Sequence, residues 1–208
     1  MLEAINIHKK FSELDVLKGV DLKVDKNEIV SIVGASGAGK TTLLQIIGTL
    51  EKSDSGSIFF EGKDIGQMNQ NELSIFRNQN IGFVFQFHNL LPEFTALENV
   101  CIPGFIAKRK KKNVEEKAMD LLVKLGLESR LHHKPNQLSG GEQQRVSVAR
   151  SLINDPMLIL ADEPSGNLDS KNAESLHEIF FELRNQYHQT FIIVTHNQKL
   201  ADLADRKL

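Results

Sequence analysis

The chain has 208 residues, 40% of them hydrophobic and 25% charged, with a formal net charge of −2. That balance suits a soluble globular chain with one sizeable core, or a core plus a lobe, and excludes a global basic field for nucleic acid. A lone cysteine, Cys101, excludes an internal disulfide framework and fits a reducing compartment.

The opening MLEAINIHKKF has neither a signal-peptide nor a lipidation pattern. No apolar run approaches the roughly 20 residues that span a bilayer. Work at a membrane would need a spanning part from another chain. LEAINIH at 2–8 alternates roughly, as a strand does, and EIVSIVG at 28–34 is a β-branched run that stops on a glycine. KTTLLQIIGTL at 40–50 has helical spacing. Between them GASGAGKT, Gly34 to Thr41, fits G-x-x-x-x-G-K-[ST] in the strand–loop–helix setting of a P-loop. Backbone N–H groups of Gly34, Ala35, Ser36, Gly37, Ala38 and Gly39 are expected to curl around phosphate oxygens at a positive helix end. Lys40 is expected to reach the β- and γ-phosphates, Thr41 to offer a hydroxyl to Mg²⁺, and Thr42 to complete the nucleotide-binding run.

SIFFEGKDI at 57–65 reads as a hairpin turning near Glu61-Gly62-Lys63. Phe83-Val84-Phe85 begins like a buried strand, but Gln86, His88 and Asn89 then break the apolar run. LLPEFTAL follows, with Leu90, Leu91, Phe94 and Leu97 around Pro92. A core segment would not carry the first group and a solvated loop would not carry the second. From about 94 to 153 the signals are helical. NVEEKAMDLLVKLG puts Val114, Ala118, Leu121, Leu122 and Leu125 on one face, with Asn113 and Glu116 as an expected capping box and Gly126 as the stop. The middle, about 87–153, is expected to be a helical lobe inserted between two strands of a single domain spanning 1–208. The run KRKKK at 108–112 reads as a solvated loop between two lobe helices, with anionic headgroups as the alternative contact.

LSGGEQQR at 138–145 sets Ser139, Gly140 and Gly141 ahead of the helical EQQRVSVARSLI, a second helix N-terminus suited to an anion. MLILA at 157–161 and TFIIV at 190–194 are continuous apolar runs, as strands buried on both faces are. LILADE ends on two carboxylates: Asp162 placed for the Mg²⁺ shell, and Glu163 placed to orient and deprotonate a water. Strands alternating with helices argue for an α/β fold with a largely parallel sheet.

The P-loop, LSGGEQQR and LILADE together resemble the ABC ATPase family, over essentially the whole chain. The resemblance implies a P-loop NTPase core with a mostly parallel sheet, an N-terminal antiparallel β part and the inserted α-helical lobe. It implies hydrolysis of ATP, with Mg²⁺, coupled to transport or mechanical work. It also implies a head-to-tail homodimer, in which Ser139, Gly140 and Gly141 of one copy close on the γ-phosphate held by the other's P-loop. Gln86 matches the family's glutamine near Mg²⁺ and the attacking water, which makes Thr41, Gln86 and Asp162 the expected metal set. SGNLD at 165–169 matches the D-loop, with Asp169 at the dimer seam, and His196 matches the histidine that contacts the γ-phosphate. The implied catalytic residues are Glu163, His196, Lys40 and Gln86. Phe11 stands where the family usually has a tyrosine on adenine, and keeps the π-face. Members usually add strand and turn beyond the point where ADLADRKL ends this sequence, so sheet-edge cover there is expected to be thin.

Within the family, FQFHNLLPEFTALENV and ADEPSGNLD resemble ATPases of lipoprotein-releasing systems, in the group with macrolide exporters and cell-division ATPases. The implied partners are integral membrane permease subunits, docking an apolar helix at about 87–97, on the cytoplasmic face of a bacterial inner membrane. No nucleic-acid partner is expected. A related exporter or cell-division complex stays open. So does a mechanical ABC ATPase, although those usually carry coiled-coil insertions, zinc modules or tandem units, and this chain has one unit and no heptad array.

Overall fold

The computed structural model describes residues 1–208. The chain opens with β1 (Leu2–Phe11) and β2 (Leu14–Val24), which join β4 (Ser55–Phe60) and β5 (Lys63–Asp64) in an antiparallel sheet of order β2-β1-β4-β5. The β4–β5 turn lies at Glu61 and Gly62, with φ of 48° and 77°. Two successive positive values are what a two-residue hairpin turn needs to match strand twist. A second sheet, all parallel, has order β6-β7-β8-β3-β9. Its strands are β3 (Ile29–Ile32), β6 (Ile81–Phe85), β7 (Leu158–Asp162), β8 (Thr190–Val194) and β9 (Arg206–Lys207).

Helix α1 (Lys40–Ile47) follows β3, and α2 (Gln70–Asn80) precedes β6. Between β6 and β7 come α3 (Ala96–Ile106), α4 (Lys111–Lys124) and α5 (Gly140–Leu152). Helix α6 (Ser170–Tyr187) links β7 to β8, and α7 (Gln198–Leu203) links β8 to β9. The arrangement matches the expected one: a mostly parallel α/β core, an antiparallel N-terminal part and helices grouped between two core strands.

Period-two alternation sends each central strand into two cores. Leu158 and Leu160 of β7 and Ile192 and Val194 of β8 face the antiparallel sheet, where they meet Leu2, Ile7, Val24, Leu44 and Ile47. Ile159, Ala161, Phe191 and Ile193 face the other way, onto Val148 and Leu152 of α5 and Leu176, Phe180 and Leu183 of α6. A third core joins Val100 and Cys101 of α3, Val114, Ala118 and Leu122 of α4, and Val146, Ala149 and Ile153. Cys101 is a packing residue there, and burial pushes its thiol up to about 11. Helix α5 therefore has one flank in the sheet core and the other among its neighbouring helices.

Several local expectations are corrected. Helix α4 begins at Lys111, two residues before Asn113, and has no side-chain cap. Burial of Val114 and Ala118, rather than an asparagine cap, sets where it starts. The capping boxes lie elsewhere, at Asn69–Glu72, Thr95–Glu98 and Ser139–Glu142. Lys111 and Lys112 are helical and pair with Glu115 and Glu116, while Arg109 donates to Asn154 O at 3.0 Å. Lys108, Arg109 and Lys110 thus form the expected loop between α3 and α4, and only the last two residues of the KRKKK run are helical. At the other end of the chain, β9 covers the sheet edge by pairing Arg206 with Val30 and Lys207 with Ser31.

Helix α5 approaches β6 so closely that a Cβ on Gly82 would lie 2.6 Å from Ser151 O. Backbone there has no side-chain freedom with which to yield. Gly82→Ala is expected to lower stability by about 1–3 kcal/mol, the usual cost of overpacking. The check is a denaturation midpoint at constant slope; an unchanged midpoint would mean that the helix backs away freely.

Candidate nucleotide site

The C-terminal ends of β3, β6, β7 and β8 lie at one edge of the parallel sheet, where open α/β sheets place their ligand crevices. A cleft of about 480 Å³ opens there. It is lined by Phe11, Gly34, Ser36, Gly37, Ala38, Gly39, Lys40, Thr41, Thr42, Glu163 and His196, with Val16 and Val194. Residues distant in sequence, from 11 to 196, thus meet in one place.

Gly39 stands at the start of α1 with φ of 87°, and a Cβ on it would lie 3.0 Å from Val16 O. Both facts require glycine. The Lys40 ammonium donates to Gly34 O and Ala35 O, each at 2.9 Å, which uses two of its three N–H donors and draws it across the loop. Thr41 Oγ1 donates to Asp162 Oδ1 at 3.1 Å. Burial, reinforced by the neighbouring Glu163 charge, pushes the Asp162 carboxyl above the usual range, against the bond from Thr41. Glu163 Oε2 accepts from His196 Nδ1 at 2.8 Å and from His196 N at 3.2 Å. On the opposite wall Phe11 is half exposed, and the Lys9 ammonium lies 5.1 Å from its ring centroid.

Asp162, Ala35 and Gln86 adjoin the cleft rather than line it. Gln86 is held in a reciprocal amide pair: its Nε2 donates to Asn167 Oδ1 at 3.0 Å, and Asn167 Nδ2 donates to Gln86 O at 3.2 Å. Asn167 lies within SGNLD, but nothing local in the sequence marks it as the partner of Gln86. Gln144 carries more of a signal, since an amide on the same helical stripe as Val148 and Leu152 points to a buried polar tie.

Ser139, Gly140 and Gly141 are not brought to this cleft. Ser139 caps α5, with its N–H donating to Glu142 Oε2 at 2.8 Å. A Cβ on Gly141 would lie 2.4 Å from Asn172 Oδ1. Asn172 is in turn fixed by Asp169, whose carboxylate accepts from Asn172 N at 2.9 Å and from Asn172 Nδ2 at 2.7 Å. The second helix N-terminus thus sits beside the D-loop in its own chain, apart from the P-loop.

After Gln86 the chain splits by polarity. Leu90 and Leu97 pack on the third core, whereas Phe87, Leu91 and Phe94 are 70%, 43% and 40% exposed. Alongside runs a groove of about 720 Å³ between α2 and α3 over β6, walled by Ile75, Phe83, Phe85 and Ile106, with Arg77 and Lys108 at its polar margin. The wall is formed by residues flanking 87–97 in space and not by that stretch itself.

A sequence profile of the ABC transporter family matches residues 17–166. The lipoprotein-releasing system ATP-binding protein LolD of Cytophaga hutchinsonii is 62% identical over 208 residues, covering 100% of this chain and 95% of that protein. LolD of Bacteroides thetaiotaomicron is 60% identical over 206 residues, covering 99% of this chain and 94% of that protein. Among solved structures, a dimeric bacterial ABC transporter cassette, MJ0796, superposes with a TM-score of 0.91 at 39% identity. The match covers 100% of this chain and 93% of that one. A post-hydrolysis state of that cassette, bound to ADP and Pi, matches with the same TM-score of 0.91, identity of 39% and coverage of 100% and 93%.

Glu142 ties the cap of α5 to Arg130, whose Nε donates to Glu142 Oε1 at 2.8 Å. The Ser139 backbone N–H, followed by Arg130, holds the Glu142 carboxyl down at about 2, although burial opposes this. A carboxyl depressed in the folded state stabilises fully above its unfolded value of about 4.3, and that contribution is lost as pH falls toward 2. Between pH 5 and 2 the Glu142→Gln variant is therefore expected to lose less stability than the unaltered chain. Denaturation midpoints at stepped pH decide it, and parallel curves would remove Glu142 from acid unfolding.

Proposed function

The chain belongs to the ABC transporter family, and on that premise we propose that it is the ATP-hydrolysing subunit of a membrane complex that releases lipoproteins from the inner membrane. The observation that carries the reading is identity of 58–62% with LolD proteins along its whole length. No helix is long and apolar enough to cross a membrane; the likeness to LolD supports a peripheral place on the cytoplasmic face, beneath permease subunits.

The cleft supports a role for each residue. ATP phosphates would take the place of the Gly34 and Ala35 carbonyls on Lys40, and the loop N–H groups would cradle them. Phe11 would stack on adenine. The site suits Mg²⁺, because Thr41 and Asp162 offer hard oxygen donors and Asp162 is a half-buried carboxylate whose charge a cation would favour. When bound, Mg²⁺ neutralises charge on the β- and γ-phosphate oxygens. Glu163, oriented by His196, would take a proton from the attacking water as its oxygen bonds to the γ-phosphorus and ADP leaves. Gln86 would join this set once released from Asn167. Ser139, Gly140 and Gly141 lie away from their own cleft and would serve the nucleotide of a second copy, which favours a homodimer with ATP at the seam.

The permease would lay an apolar helix on Phe87, Leu91 and Phe94 and into the adjoining groove. This extends the docking surface beyond 87–97 to the α2 and α3 walls.

Glu163→Gln is expected to bind ATP, to hydrolyse it about 10²–10⁴-fold more slowly, and to persist as an ATP-bound dimer on size-exclusion chromatography. A monomer at high protein concentration with ATP would count against the shared site. Leu91→Glu or Phe94→Glu is expected to leave folding and basal ATPase intact but to abolish co-purification with the permease subunits, because the new charge would be buried unpaired. Normal co-purification would move the docking surface elsewhere.

A further inference from the structure

We infer that Gln144 is a positioning residue that locks the segment carrying Gln86 and the segment carrying Glu163 to helix α5, through one buried amide and His88. The inference rests on the ATPase reading above. Gln144 is 0% exposed on the sheet side of α5. Its Nε2 donates to Phe85 O at 3.3 Å and to Pro164 O at 2.7 Å. Phe85 immediately precedes Gln86, and Pro164 immediately follows Glu163. With both amide hydrogens directed at carbonyls, Oε1 must accept, and its partner is His88 Nδ1. The histidine therefore carries its proton on Nδ1 in this contact.

A second pin lies further along the helix. The partly buried Arg150 guanidinium donates to Asn89 O and His88 O, each at 2.7 Å. From the loop after Glu163, Ser165 Oγ lies 3.2 Å from His177 Nε2, so that loop is fastened to α6 as well. Packing alone does not account for a glutamine at 144. Leucine or methionine would fill the stripe with Val148 and Leu152, but would leave buried carbonyls unpaired. The ties have a consequence for the dimer. The same helix is capped by Ser139, so any movement of its N-terminus toward a second copy's nucleotide must shift both loops of its own cleft together. Positioning of this kind changes turnover rather than nucleotide binding, because the P-loop makes no bond to Gln144.

The test compares Gln144→Met, which keeps volume and loses the amide, with His88→Ala and His88→Asn, which spare the core. Asparagine Nδ2 can stand in for the ring Nδ1–H. Steady-state ATPase is measured with the purified chain, and amide hydrogen exchange is read at 85–88 and 163–166. Gln144→Met is expected to lower kcat by up to about 10²-fold, the scale of a misplaced catalytic group, with KM for ATP within about twofold. Exchange should rise in both segments together. His88→Ala should show the same pattern more weakly, and His88→Asn should recover it. The inference is overturned if Gln144→Met changes only thermal stability, if one segment alone loosens, or if His88→Asn behaves as His88→Ala. Failure of the unaltered chain to hydrolyse ATP would count against the proposed function instead, and hydrogen exchange then decides the pin by itself.

Discussion

At the C-terminal edge of the parallel sheet, Phe85 pairs with Asp162, Asp162 with Val194, and Val194 with Ile32. These residues form one row across β6, β7, β8 and β3. Every segment that the parallel sheet contributes to the cleft leaves from that row: Gln86 from β6, Glu163 from β7, Thr195 and His196 from β8, and the P-loop from β3, while Phe11 and Val16 come from the antiparallel sheet. A slip of one residue in any strand would turn its side chains to the opposite face. In β8, Phe191 and Ile193 would then lie under the antiparallel sheet and Ile192 and Val194 against α6. The two cores therefore enforce the register, and the register aligns the chemistry. Hydrophobic burial some distance from the nucleotide is what brings a carboxylate, a histidine and a lysine together.

Glu163 is the first residue past the row, and its φ is 46°. A left-handed conformation costs a non-glycine residue about 1–2 kcal/mol. Neighbouring bonds offset that cost. Glu163 N donates to Val194 O at 2.8 Å, and Gly166 N donates back to Glu163 O at 2.9 Å. The carboxylate is caught by the backbone and ring of His196. The strained turn and the caught carboxylate act together. Continued in an extended conformation, the strand would carry Glu163 past the cleft, and without His196 its carboxylate would be left to water. Gly166 lets the turn pass close to Gln86, since a Cβ there would lie 3.0 Å from Gln86 Nε2 and the glutamine would have to give way.

How much of this was legible in the sequence depended on whether the signal was local. The P-loop glycines, the doubly buried runs of β7 and β8, the Glu61-Gly62 turn and the Asp162-Glu163 pair each declare themselves within a few residues. Strand β2 did not. Register shifts against β1 between Ala4 and Ile7, and at Ile7–His8 and Lys9–Lys10, together with Gly19 at φ 81°, break its alternation. Helix α2 buries no residue fully and sets only Leu73 and Phe76 against the core, a face too short to read as a stripe. The amide ties were also beyond reach, because Gln86 meets Asn167 across 81 residues and Gln144 meets Phe85 across 59. Such pairs have no periodicity, and only the folded chain makes them neighbours.

The mixed stretch after β6 follows from these constraints. Its polar residues each have a local reason: Gln86 bonds Asn167, His88 bonds Gln144, and Asn89 takes a left-handed φ of 50°, while the backbone carbonyls of His88 and Asn89 accept from Arg150. Asn99 of α3, itself buried, fixes the next part by accepting from Leu91 N and donating to the carbonyls of Leu91, Phe94 and Thr95. Leu90 still packs on the third core, but with the backbone held in this way nothing in the hydrogen bonding requires Leu91 and Phe94 to be apolar. Yet Leu91 and Phe94 remain apolar beside Phe87 at the surface. A stretch that needed only to close a loop would carry polar residues there at no cost to its hydrogen bonds. Surface apolarity on so firmly held a backbone is what a preformed docking face requires, since little conformational entropy is left to lose on binding. The same tied segment carries Gln86 at its start, so this apolar face and the edge of the cleft are built on one continuous stretch of backbone.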